Sequence, residues 1–285
     1  MKKVRIFVLV LIIAFLGIFS VAAQTQSLKG MSLNGSTGLY SIPSGRIGWE
    51  RSSDLGLDFG YHAIIHDGEA THIPKMALSL FKWVEVSTAF DFQPDNYYGI
   101  YSLQHPTKKD NGDSSDFLGG LKVQLPLERV ALAVGGNLQA LNLGNKARGY
   151  MAGQVYVAAT YPGSFFDMPA ETTVTVGKTF IENNSNSDID YGMGFDMVLF
   201  PNQLQGILHW ITDFSNFSYS VEAFGADSWY RGVLNTGLRF DLSRIKALNK
   251  FKFAIDVMIT DLLDDGKHDE GRAFSFGVVF GVPIL

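Results

Sequence analysis

The sequence predicts an all-β chain, a single antiparallel transmembrane β-barrel of about twelve strands, with about fourteen as the alternative count. Three observations predict it. Apolar residues recur at every second position in one segment after another. The faces opposite these stripes carry acids, glycines and small residues rather than the Lys, Glu and Thr of a water-facing sheet. Aromatic residues are abundant, with 22 Phe and 11 Tyr beside 30 Gly, while only 18% of the chain is charged.

The elements follow in order. The chain opens MKKVRIFVLVLIIAFLGIFSVAAQ, with a basic start, an uncharged apolar run over Ile6–Phe19 and small residues at Val21-Ala22-Ala23. These are the three parts of a cleavable secretory signal over residues 1–23, and the apolar run is short for a spanning helix. Residues 24–52 then form a lead-in or small plug. Within it, "GSTGLYSIPSG" (Gly35–Gly45) is rich in glycine but is followed by no helix pattern and no nearby lysine, which excludes a phosphate loop. Pro43 cannot donate to a strand ladder, so the segment suits a stop or an edge. We expect it to fold into the barrel mouth; in the fourteen-strand alternative Ser36–Ile42 pairs with the wall instead.

The barrel itself is expected over residues 53–285. In "DLGLDFGYHAI" Leu55, Leu57, Phe59, Tyr61 and Ala63 share one face. In "VEVSTAFDF" Val84, Val86, Phe90 and Phe92 oppose Glu85, Ser87 and Asp91. "IDYGMGFDMVL", "FKFAIDVMI" and "FSFGVVFGV" alternate in the same way. Such segments run to about ten residues, the length of a tilted strand that crosses a bilayer. A soluble sandwich shows the same alternation with the apolar face inward. The small, glycine-rich polar faces favour the barrel. So do aromatics placed near strand ends as an interfacial girdle: Phe81, Trp83, Tyr97, Tyr98, Phe200, Trp229 and Tyr230. Short turns are expected near Phe81–Trp83, Leu125–Arg129, Phe200–Gln203 and Ser243–Lys250. Longer loops are expected at His66–Ala70, Pro94–Ser114, Asn142–Arg148, Glu182–Ser187 and Asp261–Gly271. A medium-length turn is expected at Tyr161–Ala170. Reading "LQGILHWITDFSNFSYSVEAF" as one strand makes the count even and brings both ends of the barrel to the same side.

The candidate site is the barrel interior. Asp54, Asp58, His62, Glu85, Asp91, Lys122, Asp190, Asp196, Arg239 and Asp256 fall on the face opposite the apolar stripe. Buried charges must pair or meet water, so these residues form either a stabilising network or a narrow, mildly cation-favouring channel. Other chemistry finds less support in the sequence. A nucleophilic set from His62, Ser79 and Asp58, or one around His209 and Asp213, has no supporting spacing. Likewise His62, His66 and His72 are only loosely spaced for a metal. We therefore expect no catalytic residues, no metal and no cofactor. The chain has no cysteine, which excludes disulfides, thiolate sites and lipidated cysteine anchors. With a net charge of −5 and no basic patch, nucleic acid is not an expected partner.

The opening motif, Gly35, Gly38, Leu39 and Pro43, resembles the Gly-x-x-Gly-Leu-x-x-x-Pro start of bacterial outer-membrane barrels associated with exopolysaccharide and capsule gene clusters. In that family the motif follows the signal peptide and precedes a Gly-Tyr strand, here Gly60-Tyr61. "ITDFSNFSYS", "VLNTGLRFDL" and "FAIDVMITDL" resemble its later strands. The resemblance implies an outer-membrane protein of a Gram-negative-type envelope, porin-like or linked to exopolysaccharide. Its implied partners are outer-membrane lipid, the barrel-assembly machinery, and a small solute or glycan. A lipid-modifying enzyme and a structural or adhesive barrel with a blocked lumen are the alternative functions. The chain departs from the usual barrel ending, with Phe280 its last aromatic before Val282-Pro283-Ile284-Leu285.

Overall fold

The computed structural model describes residues 30–49, 53–66, 69–93, 114–127, 130–141, 150–181, 189–216, 232–263 and 272–284. The signal segment, Tyr97, Tyr98, Trp229 and Tyr230 lie outside them. Twelve strands are formed: β1 (Leu55–His66), β2 (Glu69–Leu80), β3 (Val84–Gln93), β4 (Ser114–Leu125), β5 (Ala131–Leu141), β6 (Tyr150–Phe165), β7 (Met168–Ile181), β8 (Asp190–Val198), β9 (Leu208–Ser215), β10 (Val233–Asp241), β11 (Lys252–Thr260) and β12 (Ala273–Pro283). Each pairs antiparallel with its neighbours in sequence, and β12 closes on β1 from Gly56↔Pro283 to Ile65↔Phe274. The result is a closed barrel with no free edge, the arrangement that turns the ladder groups of each strand toward a neighbour within the wall. Among the described residues no helix is long and apolar enough to cross a membrane.

The period-two pattern sets which way each side chain points. On β12, Ala273, Ser275, Gly277, Val279 and Gly281 are buried inside, while Phe274, Phe276 and Phe280 are exposed outside. β11 behaves alike, with Lys252, Ala254, Asp256 and Met258 inward and Val257 outward. The exterior carries Phe59, Val86, Leu121, Val134, Leu138, Val155 and Val176. A water-soluble barrel does not present such a continuous apolar outer surface, and its natural solvent is hydrocarbon.

The single-strand reading of the 204–224 stretch holds for its described part: β9 is one strand, and residues 217–231 lie outside the described residues. The fourteen-strand alternative does not hold, because Ser36–Ile42 makes only isolated bridges within its own segment. Two connections differ from expectation. β6 and β7 continue through the supposed medium turn to a two-residue connection, Phe166 and Asp167, both at positive φ. That geometry matches the twist of the strands it joins. Likewise β1 reaches His66 and β2 starts at Glu69, so the His66–Ala70 loop shrinks to residues 67–68. A helical turn, α1 (Pro201–Leu204), fills the β8–β9 connection and begins at Pro201, where a missing amide hydrogen does no harm. The expected turn over Ser243–Lys250 is a short 3₁₀ helix, Leu242–Arg244, capped by Asp241.

Candidate functional site

Every residue from 30 to 49 is buried. The segment touches the wall in every direction. Gly48 and Trp49 meet Asp58 of β1 and Lys252 of β11, and Trp49 lies on Gly281 of β12. Gly35 abuts Thr88 of β3, Gly45 abuts Ala131 of β5, Ile42 abuts Gly192 of β8, and Gly30 abuts Arg239 of β10. A segment in contact with opposite sides of a closed barrel lies inside it.

The segment has internal structure of its own. Gly35 sits at φ 90°, a conformation that favours glycine, and turns the chain so that Ser32 N–H donates to Ser36 O at 2.8 Å. The Asn34 side-chain oxygen accepts from Ser32 Oγ at 2.6 Å and Ser36 Oγ at 2.9 Å. At Gly38 a Cβ would fall 2.3 Å from Ile42 O, so only glycine lets the second turn close. Leu33, Leu39, Tyr40 and Ile42 pack with Ile64, Ile73, Leu118 and Tyr156 of the wall into a small apolar core. The residues of the opening motif therefore shape a folded lumenal segment.

Polar anchors fix that segment. Glu85 of β3 accepts from Thr37 N at 2.8 Å, Thr37 Oγ1 at 2.6 Å and Gly48 N at 3.1 Å, and pairs with Lys122 at 2.9 Å. Lys122 in turn donates to Thr37 O at 2.8 Å. Asp213 of β9 accepts from Tyr40 N at 2.9 Å, Ser41 N at 2.7 Å and Ser41 Oγ at 2.9 Å. Lys75 of β2 donates to Ser32 O at 2.8 Å. Arg46 meets Glu171 of β7 through Nε at 3.0 Å and Nη2 at 2.8 Å. Thr160 and Thr175 bind Gly45 N and Pro43 O, both at 3.0 Å. The carboxylates take backbone N–H groups that the turns leave over, which is how buried amides and buried charges satisfy each other.

The wall charges pair around this segment. Arg239 grips Asp256 with two bonds, at 2.7 and 2.8 Å, and reaches Asp196 at 3.5 Å. Asp196 also binds His209 Nδ1, whose Nε2 meets Gly206 O at 2.9 Å. His62 Nε2 stands 3.6 Å from Asp256. Lys252 and Trp49 both donate to Asp58, at 2.7 and 2.9 Å. Asp190 accepts from Thr179 at 2.6 Å and Gln154 at 3.1 Å. Asp91 is buried opposite Asp116 on β4.

Thus Asp58, His62, Glu85, Asp91, Lys122, Asp190, Asp196, Arg239 and Asp256 are all buried, on the inner face. Asp54 is not: its side chain is 70% exposed ahead of β1 and pairs with Lys82 at 3.2 Å. It precedes the first paired residue, so the alternation that places Asp58 inside does not reach it. The turn aromatics Phe81, Trp83 and Phe200 are exposed near strand ends on the short-turn side. His62 and His72 point to opposite faces of the wall, since His62 is buried and His72 contacts the exposed Tyr61. Ser79, Asp58 and His62 do not assemble, because Asp58 is taken by Lys252 and His62 turns to Asp256. Among the described residues no three His, Cys, Asp or Glu side chains are placed to hold a metal ion.

Four anchors escaped the list of interior charges. Asp213 stands beside an apparent parity shift, Lys75 follows Pro74, Glu171 directly follows the turn expected at Tyr161–Ala170, and Arg46 belongs to the lumenal segment. Once the strands are correctly bounded, alternation alone recovers the first three.

No family model matches the chain, and no curated protein matches it. Among solved structures it is similar to the KdgM porin, with 6% identity, 80% of this chain and 99% of that chain covered, and a TM-score of 0.44. It is also similar to LpxR from Salmonella typhimurium, with 9% identity, 80% and 100% covered, and a TM-score of 0.43. Omp33 of Acinetobacter baumannii shares 11% identity over 81% and 98%, with a TM-score of 0.40. The closed twelve-strand order above, and not these likenesses, defines the fold.

Proposed function

We propose that this chain is a porin-like outer-membrane barrel whose transit path is closed by its own segment 30–49 and opens when that segment is displaced. The observation that carries the reading is the pair of inner-face carboxylates, Glu85 and Asp213, that hold the segment by six hydrogen bonds from its backbone and hydroxyl groups. Beside its small apolar core, the segment leans on polar contacts that water can replace. That favours a removable stopper over a permanent core. The apolar exterior supports insertion in a bilayer, and the leader supports export. The opening motif supports a role linked to exopolysaccharide, with a glycan or small polar solute as the transported species.

Planar-bilayer recording tests this directly. The intact protein is expected to be mostly closed with rare openings, and variants that weaken the anchors are expected to open often. A barrel that never conducts in any anchor variant, while still migrating as a folded barrel on unheated gels, would instead be a structural barrel with a blocked lumen.

A further inference from the structure

Wall carboxylates bond the lumenal segment at several points, and one of them differs from the rest. Glu85 also pairs with Lys122, Asp58 with Lys252, and Glu171 meets the segment's own Arg46. Asp213 of β9 is instead held by four uncharged donors and makes no ion pair among the described residues. These donors are Tyr40 N at 2.9 Å, Ser41 N at 2.7 Å, Ser41 Oγ at 2.9 Å and Asn235 Nδ2 at 2.9 Å. Three of the four belong to the segment and leave with it. Asp213 then faces the lumen with Asn235 as the one member of this set that stays.

The wall beside this carboxylate is hollowed. Gly192 and Gly194 of β8 face Ser215 and Asp213 across the ladder, and neither carries a side chain. Ile42 of the segment fills the space over Gly192, where a Cβ would lie 2.5 Å from Ile42 Cγ2. Next to Ile42, Ser41 Oγ lies 2.9 Å from Asp213 Oδ1 and 2.9 Å from Ser215 Oγ. Asp213, Ser215 and Asn235 are all buried. The tip of the segment thus sets a hydrogen-bond donor on the carboxylate and a short aliphatic group in the recess beside it.

We propose that Asp213, Ser215 and the Gly192 recess, once the segment is displaced, bind the primary alkylammonium group of a transported solute. The ammonium nitrogen takes the position of Ser41 Oγ and donates to Asp213 and Ser215. The first carbons of its chain take the place of Ile42. An ammonium brings a positive charge and three donors, where the serine hydroxyl brings one donor and no charge, so it suits a carboxylate held by uncharged donors. The site is free only when the segment is out, so a solute bound there holds the pore open by mass action. The inference rests on the stopper reading above and names the solute chemistry that the uncovered wall takes.

Planar-bilayer recording on the full barrel tests this with n-butylammonium, tetramethylammonium and n-butanol, each added to potassium chloride at fixed ionic strength. In the parent chain the ratio of open to closed is expected to rise with n-butylammonium, by about elevenfold at ten times its dissociation constant. Tetramethylammonium has the charge without an N–H donor, and n-butanol has the chain without the charge; neither is expected to move the ratio. A second arm compares Glu85→Gln with Glu85→Gln carrying Asp213→Asn, both checked as folded barrels by unheated gel migration. n-Butylammonium is expected to interrupt the potassium current of Glu85→Gln in brief blocks, and Asp213→Asn to shorten those blocks about tenfold, the scale of one charge-assisted bond. Equal opening by n-butylammonium and tetramethylammonium overturns the site, as do blocks that keep their length in Asp213→Asn. A folded Glu85→Gln barrel that never conducts counts against the stopper reading instead, and the site falls with it.

Discussion

Glu85→Gln is the sharpest single perturbation of the lumenal segment. The carboxylate takes three bonds from the segment, at 2.8, 2.6 and 3.1 Å, and one from Lys122 at 2.9 Å. The Lys122 pair belongs to the wall and persists whether the segment is in or out. Only the three segment bonds distinguish the two states. Glutamine keeps one acceptor oxygen and replaces the other with a donor, which then faces groups that also donate. One side of the bond set is lost and the other is weakened from charge-assisted to neutral. At about 1.5–3 kcal/mol for a bond to a charged group and about 1 kcal/mol for a neutral one, the shift against the closed state is about 3 kcal/mol. That corresponds to roughly a hundredfold in the ratio of open to closed. Single-channel recording reads the ratio directly as open probability, with gel migration before and after heating as the control for an intact barrel. A folded Glu85→Gln barrel that stays as closed as the parent would refute the claim that this carboxylate holds the segment in place.

Three further outcomes are expected. Gly35→Ala forces a side chain into a positive-φ position and against Thr88 O; it is expected to lower the stability of the seated segment by about 1–3 kcal/mol and to make residues 30–49 accessible to protease. Arg46→Met leaves Glu171 buried without its guanidinium and is expected to lower the thermal midpoint by the equivalent of about 3–5 kcal/mol, whereas adding Glu171→Gln in the same chain recovers part of it; a thermal melt of the four combinations in detergent checks the coupling. Leu121→Lys puts a charge on the outer face at a residue that is 52% exposed; insertion into vesicles is expected to weaken by about 2–4 kcal/mol, and a change of less than a few tenths would argue that this face does not meet hydrocarbon.

The wall was largely legible in the sequence because one physical rule writes it. A strand with lipid on one side and a packed lumen on the other must alternate, so Phe274, Phe276 and Phe280 against Ser275, Gly277 and Gly281 leave little choice of face. Strand ends were less legible. At Phe166 and Asp167 the chain reverses in two residues with no glycine, and nothing in "SFFDMP" announces a positive φ at both. At Asp54 the alternating pattern runs one step beyond the last paired residue. The interior was legible as a set of charges but not as pairs. That Arg239 chooses Asp256, and that Lys252 chooses Asp58 from the other end of the sequence, follows only from barrel closure. The occupancy of the lumen was the least readable feature, because its partners are distant in the chain, from Glu85 for Thr37 to Asp213 for Ser41.

The most direct measurement of the central claim is conductance through a barrel whose lumenal segment can be tied down at will. Ser41 Oγ lies 2.9 Å from Ser215 Oγ on β9, close enough for a cysteine pair to bridge after a small adjustment. In a Ser41→Cys, Ser215→Cys barrel that also carries Glu85→Gln, the account predicts a closed channel when oxidised and frequent openings once a reductant is added. Equal conductance in the two redox states, with the disulfide confirmed by mass, would contradict it.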